Sequence, residues 1–137
     1  MKNKIYLGGP IQCKTTDKAN EWRDYATSKL KKQFTILNPM RRQFSDKDFF
    51  GINEIVLMDK EDVKQSDILL VNYNCAREKT TLCGTAMEIH LAHSLGKFII
   101  AFSDLPQEDF SPWMSFHCTR ICKNLDEAIK YIKKQFG

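Results

Sequence analysis

Apolar positions in this 137-residue chain alternate between short unbroken runs and stretches with three- and four-residue spacing. The runs are Lys4 to Leu7, Phe34 to Leu37, Ile68 to Val71, Phe98 to Phe102 and Thr119 to Cys122. Short apolar runs bounded by turn residues predict buried strands. Asn38-Pro39 closes the second run, because proline cannot donate to a sheet ladder. Between the runs the spacing predicts helices. Ala19, Trp22, Ala26 and Leu30 form one stripe on a helix capped by Thr16 or Asp17 and reaching about Lys32. Ile52, Ile55, Val56 and Val63 form another over Ile52 to Lys64. A third helix starts at Cys83-Gly84-Thr85, carries Ala86, Met87, Ile89, Leu91, Ala92 and Leu95, and ends at Gly96 in a left-handed turn. Met114-Ser115-Phe116 reads as a single helical turn. Asn124 caps the last helix with Glu127 three residues on, a capping box, and Leu125, Ala128, Ile129, Ile132 and Phe136 form its stripe.

Strictly alternating strands and helices imply a parallel sheet. Five strands in this rhythm predict an α/β fold, a flavodoxin-like doubly wound sheet of order 2-1-3-4-5 with helices on both faces. The length suits one domain over 1–137. Hydrophobic residues make up 42% and charged residues 28%, an ordinary globular balance. The net charge of +4 is spread over pairs such as Lys31-Lys32 and Lys133-Lys134, not a stripe. That argues against nucleic acid and suits a small anionic ligand. Five cysteines at irregular spacing argue for reduced thiols and a cytoplasmic setting. No apolar run is long enough to span a membrane.

In such a sheet ligands bind beyond the carboxyl ends of the strands. There the first strand runs into Gly8-Gly9-Pro10, which is a close-approach loop or simply a turn, and lacks the Gly-x-Gly-x-x-Gly pattern. Glu88 interrupts an apolar helix just past the third strand, as a functional carboxylate held ionised by the helix dipole or as a helix-capping residue. Asp59 lies among the apolar positions of the preceding helix, either inward or facing water beside Lys60. Two carboxylates at one crevice suit acid–base or nucleophilic work on a glycosidic bond. Arg41 and Arg42, in a twelve-residue polar loop, are phosphate ligands or a solvated pair. His90 and His93 lack a third ligand at metal spacing, so no metal is expected.

Tyr6-Leu7-Gly8-Gly9-Pro10, Asp59 with Ser66-Asp67-Ile68, Gly84-Thr85-Ala86-Met87-Glu88-Ile89 and Gly96-Lys97 together resemble the nucleoside 2-deoxyribosyltransferase family. That family includes relatives that hydrolyse nucleoside 5'-monophosphates at the N-glycosidic bond. The resemblance runs from residue 4 to about residue 131. It implies Glu88 as nucleophile, Asp59 as assisting carboxylate and Tyr6 as the aromatic that positions the nucleophile. It implies a pocket lined by Gly8, Gly9, Pro10 and Ile11, with Gly84 and Thr85 of the Gly-Thr-x-x-Glu turn beside it; the Thr81 hydroxyl with Arg41 and Arg42 would suit a 5'-phosphate there. It implies no cofactor, and a homodimer or larger assembly in which Ser111, Trp113, Met114 and Ser115 enter the neighbour's pocket. Two positions depart from the base-swapping transferases. Leu82, six before Glu88, stands where they carry an acidic residue, and Pro112 stands where they carry an asparagine. The pattern thus leans toward a 5'-phosphate substrate, within glycosyl transfer or hydrolysis. The rival expectation is a nucleotide-binding sensor module on the same fold.

Overall fold

The computed structural model describes residues 2–10, 16–41, 51–74 and 83–137, except for the side chains of residues 16–18 and 52. Five parallel strands stand in the order β2-β1-β3-β4-β5, as the sequence predicts. They are β1 (Lys4–Gly8), β2 (Thr35–Leu37), β3 (Ile68–Asn72), β4 (Phe98–Phe102) and β5 (Arg120–Cys122). The helices are α1 (Thr16–Leu30), α2 (Ile52–Gln65), α3 (Cys83–Ser94), α4 (Pro112–His117) and α5 (Leu125–Phe136).

The sheet is buried on both faces, so strand residues alternate between two cores. Ile5, Leu7, Ile68, Leu70 and Ile100 meet Ala26 and Leu30 of α1 and Ala128, Ile129 and Ile132 of α5. Tyr6, Leu69, Val71, Ile99 and Ala101 meet Val63 of α2, Ile89 and Ala92 of α3 and Met114 of α4. Tyr6 therefore points toward the α2–α3 side. In β1 and β3, Gly8 lies opposite Val71, so the carboxyl ends of these strands are neighbours. The helices that follow them, α1 and α3, pack on opposite faces of the sheet, and in such folds ligands bind where the strand order reverses.

Several helix details differ from the periodic reading. The inward side of α2 carries Ile55, Asp62 and Val63, while Val56 is exposed. Met87 of α3 and Leu95 just beyond its end also face outward, and the buried positions of α3 are Thr85, Ile89 and Ala92. An apolar side chain records only a tendency toward burial, and α3 is apolar on more than one side. Gly96 ends α3 with a φ of 73°, in the left-handed region. Asn124 Oδ1 accepts the Glu127 amide at 2.9 Å, while Glu127 reaches back one residue further than a capping box requires, to the Lys123 amide at 2.8 Å. None of the described helices is long and apolar enough to cross a membrane.

Candidate active site

Tyr6 and Glu88 lie 82 residues apart in sequence, and the β1–β3 pairing brings them together. The Tyr6 hydroxyl donates to Glu88 Oε2 at 2.5 Å. The other carboxylate oxygen, Oε1, hangs over Gly8, 3.7 Å from where a Cβ on that glycine would stand. A Cβ there would be in ordinary contact with Oε1, the Tyr6 ring and Val71, so little room is left for a longer side chain. Gly9 follows with a φ of 156°, a conformation L side chains rarely adopt. A Cβ there would also press on Asn72 and Trp22 at 3.2 and 3.3 Å.

Burial pushes the Glu88 carboxyl from its ordinary 4.5 up to about 7. The Tyr6 hydrogen bond and the charge of Arg23 oppose that rise, while Asp59 and Asp62 add to it. The expectation of a dipole-ionised first-turn glutamate is corrected. Glu88 is the sixth residue of α3, one turn past the helix start, where the dipole has faded and desolvation prevails. A capping role is excluded by the same position. Burial, with help from the Glu88 and Asp59 charges, holds Tyr6 well above its ordinary 10, so its hydroxyl stays protonated and keeps donating.

Asp59 is half-buried on α2, and its charge acts on both Tyr6 and Glu88. It belongs to this carboxylate group and does not simply face water beside Lys60. Asp62, one turn on, is buried and also bears on Glu88. The sequence reading missed Asp62 because it sits in the charged string Lys60-Glu61-Asp62; its three-residue spacing from Asp59 was the available signal. Arg41 Nη2 lies 2.8 Å from an Asp62 oxygen, and Arg41 Nη1 donates to the Asn38 carbonyl at 2.8 Å. The guanidinium thus ties the 3-10 turn at Pro39–Arg41 to α2.

Arg23 of α1 was also missed. It is fully buried beneath the β1 carboxyl end, donating to the Leu7, Gly9 and Ala19 carbonyls at 3.2, 3.0 and 2.8 Å. Its spacing was the clue, because Ala19, Arg23, Ala26 and Leu30 share one helix side.

The remaining predicted residues fall elsewhere or out of view. Gly8, Gly9 and Pro10 are buried in the turn itself, Thr85 is buried near the start of α3, and Gly84 is exposed beside it. Ile11, Arg42 and Thr81 lie outside the described residues, as does Leu82. Ser111 caps α4 by accepting the Met114 amide at 3.2 Å, and Met114 packs into the core. Trp113 and Phe116 face outward, 78% and 73% exposed. His117 of α4 comes beside the α3 histidines, 3.4 Å from His90 and with ring centres 4.6 Å from His93. Among the described residues no group of three His, Cys, Asp or Glu is arranged to hold a metal ion. A cleft of about 520 Å³ lies beside β4 and β5, lined among others by Ser103, Phe110, Arg120 and Lys123. It does not include Tyr6, Asp59 or Glu88.

The likeness to known proteins follows these elements. Thirty-six chains of solved structures match this one. A 2-deoxyribosyltransferase from Bacillus psychrosaccharolyticus superposes with a TM-score of 0.72 at 20% identity, covering 93% of this chain and 91% of that one. A 2-deoxyribosyltransferase from Leishmania mexicana gives 0.70 at 18% identity, covering 97% and 98%. A CMP N-glycosidase from Clostridium botulinum gives 0.65 at 14% identity, covering 96% and 98%. At these identities the superpositions establish the shared fold. A search of curated protein sequences finds no match. The sequence profile described as "Nucleoside 2-deoxyribosyltransferase like" matches residues 2–104, a span holding Tyr6, Asp59 and Glu88, and the chain belongs to that family.

Proposed function

We propose that the protein cleaves or transfers the N-glycosidic bond of a 2'-deoxynucleoside or its 5'-monophosphate, with Glu88 as nucleophile. The observation that carries this reading is the Tyr6–Glu88 hydrogen bond at the joint carboxyl ends of β1 and β3. One carboxylate oxygen is pinned by the tyrosine while the other lies over a glycine, an arrangement that aims a single oxygen. Ionised Glu88 attacks the sugar C1'. The new C–O bond forms as the C–N bond breaks, and the bonding pair leaves with the base. The departing base takes a proton from water, which the Asp59 carboxylate is placed to relay. A water molecule, or the nitrogen of a second base, then attacks C1' from the opposite side. Its proton passes by way of Asp59 to solvent, and Glu88 is released as carboxylate. Two inversions retain configuration at C1'. The steps need no cofactor.

Loss of an acidic residue at Leu82 and of an asparagine at Pro112 favours a hydrolase acting on monophosphates. Arg42 is the candidate phosphate ligand of the arginine pair, with Arg41 contributing only if it leaves Asp62. A chromatographic assay tests the reading on deoxynucleosides and their 5'-monophosphates, each with and without an acceptor base. Free base from the monophosphates alone is the expected result. A new nucleoside formed only with added base would make the protein a transferase. No product with nucleotide binding intact would leave the sensor module standing.

The same reading places Trp113, Ser115 and Phe116 against a second copy of the chain. Their support is the outward display of two large aromatics on α4. Light scattering is expected to report at least twice the 16.0 kDa chain mass, falling toward the monomer in a Trp113→Ser, Phe116→Ser double variant.

A further inference from the structure

We propose that Arg23 is a positioning residue for this chemistry: its buried guanidinium fixes the Leu7–Gly9 backbone against which the Glu88 carboxylate is seated. The inference rests on the reading of Glu88 as nucleophile. A fully buried guanidinium is costly unless its donors are met, and this one gives three of its hydrogen bonds to main-chain carbonyls. Two of those carbonyls, Leu7 O and Gly9 O, flank Gly8, the residue over which Glu88 Oε1 lies. The third, Ala19 O, anchors the fork to α1. Trp22 completes the support, with the guanidinium 4.7 Å from its ring centre and the indole edge against Gly9. The turn is therefore gripped on the α1 side of the sheet while the carboxylate is presented on the α3 side. A stripe position that only filled space would be met by leucine or methionine. A forked donor that spans a strand end and a positive-φ glycine requires arginine.

The position has an electrostatic consequence. The groups that bear on Glu88 are Tyr6 from β1, Arg23 from α1, and Asp59 and Asp62 from α2, with Arg41 paired to Asp62. Arg23 is the cation among those that act directly on Glu88, and it favours the ionised carboxylate.

Two substitutions separate geometry from charge. Arg23→Lys keeps the charge and loses the fork; Arg23→Met keeps the packing stem and loses both. Each is compared with the wild type by the glutamate 13C titration, with Glu88→Gln assigning the Glu88 signal, and by kcat and KM on the deoxynucleoside 5'-monophosphate that the chromatographic assay shows to be cleaved. Arg23→Lys should keep the Glu88 midpoint near the wild-type value yet lose roughly 10- to 100-fold in kcat, with KM within about threefold. Arg23→Met should also move the midpoint upward. Should Arg23→Met not fold, Arg23→Lys decides alone. Wild-type kcat in Arg23→Lys, or an unmoved midpoint in folded Arg23→Met, overturns the proposal and leaves Arg23 a packing residue. A wild type that turns over no substrate is a different result, sinking the nucleophile reading itself and this inference with it.

Discussion

Glu88→Gln is expected to lower turnover on the order of ten-thousand-fold or more, while nucleotide affinity stays within about threefold. The amide has the same shape and can still accept from Tyr6, but it has no anionic oxygen to form the glycosyl–enzyme bond. Binding is read by calorimetry and turnover by released base. A sensor module would show the reverse, with no activity to lose. The melting temperature supplies a check independent of substrate. Wild-type Glu88 titrates at about 7 in the folded protein and at its ordinary 4.5 when unfolded. A folded-state value above the unfolded one means that the stability this group contributes is complete below 4.5 and is lost as pH rises through 7. Above pH 7 the wild type holds a buried charge that the amide does not. Glu88→Gln should therefore be more stable than the wild type at pH 8, by on the order of 2 kcal/mol, and little different at pH 4. Equal melting curves at pH 8 would mean that Glu88 is not desolvated as described.

Tyr6→Phe is expected to cost about 10- to 100-fold in kcat/KM at pH 7, the range implied by losing a hydrogen bond to a charged group worth about 1.5–3 kcal/mol. The hydroxyl favours the ionised carboxylate, so its removal raises the Glu88 pKa further above 7. The wild-type kcat/KM should rise with pH through about 7 as the nucleophile ionises, and the variant's rise should be displaced to higher pH. Part of the loss should therefore be recovered in alkaline buffer. The part not recovered measures what the tyrosine does by aiming the carboxylate. An undisplaced profile would show that the 2.5 Å contact does not govern the titration.

Phenylalanine at position 6 keeps the buried ring between β1 and the α2–α3 layer, which makes the substitution readable. Only the hydroxyl is deleted, and the space it leaves borders the carboxylate rather than the apolar core. Arg23→Met is the less conservative change, since it removes the side-chain donor from three main-chain carbonyls.

The sequence by itself determined the strand order and the position of Glu88 beyond β3. A doubly wound parallel sheet has a handed, unknotted route, so five short apolar runs separated by helices admit few topologies. Asp59 was visible as a charge among apolar positions, and Tyr6-Leu7-Gly8-Gly9-Pro10 as a strand ending in a turn. Tertiary structure alone decided the electrostatics. Whether Glu88 is ionised depends on burial and on four other charged or polar groups, drawn from α1, α2 and β1, and no spacing rule sums such contributions. Arg23 and Asp62 escaped for the same reason. A charged residue in a polar string looks solvated until the main-chain carbonyls or the partner arginine that meet it are placed in space. The outward face of α3 is the converse case. Met87 and Leu95 look like core, and only the packing of α3 against β3, β4 and α4 shows which side of an apolar helix is left exposed.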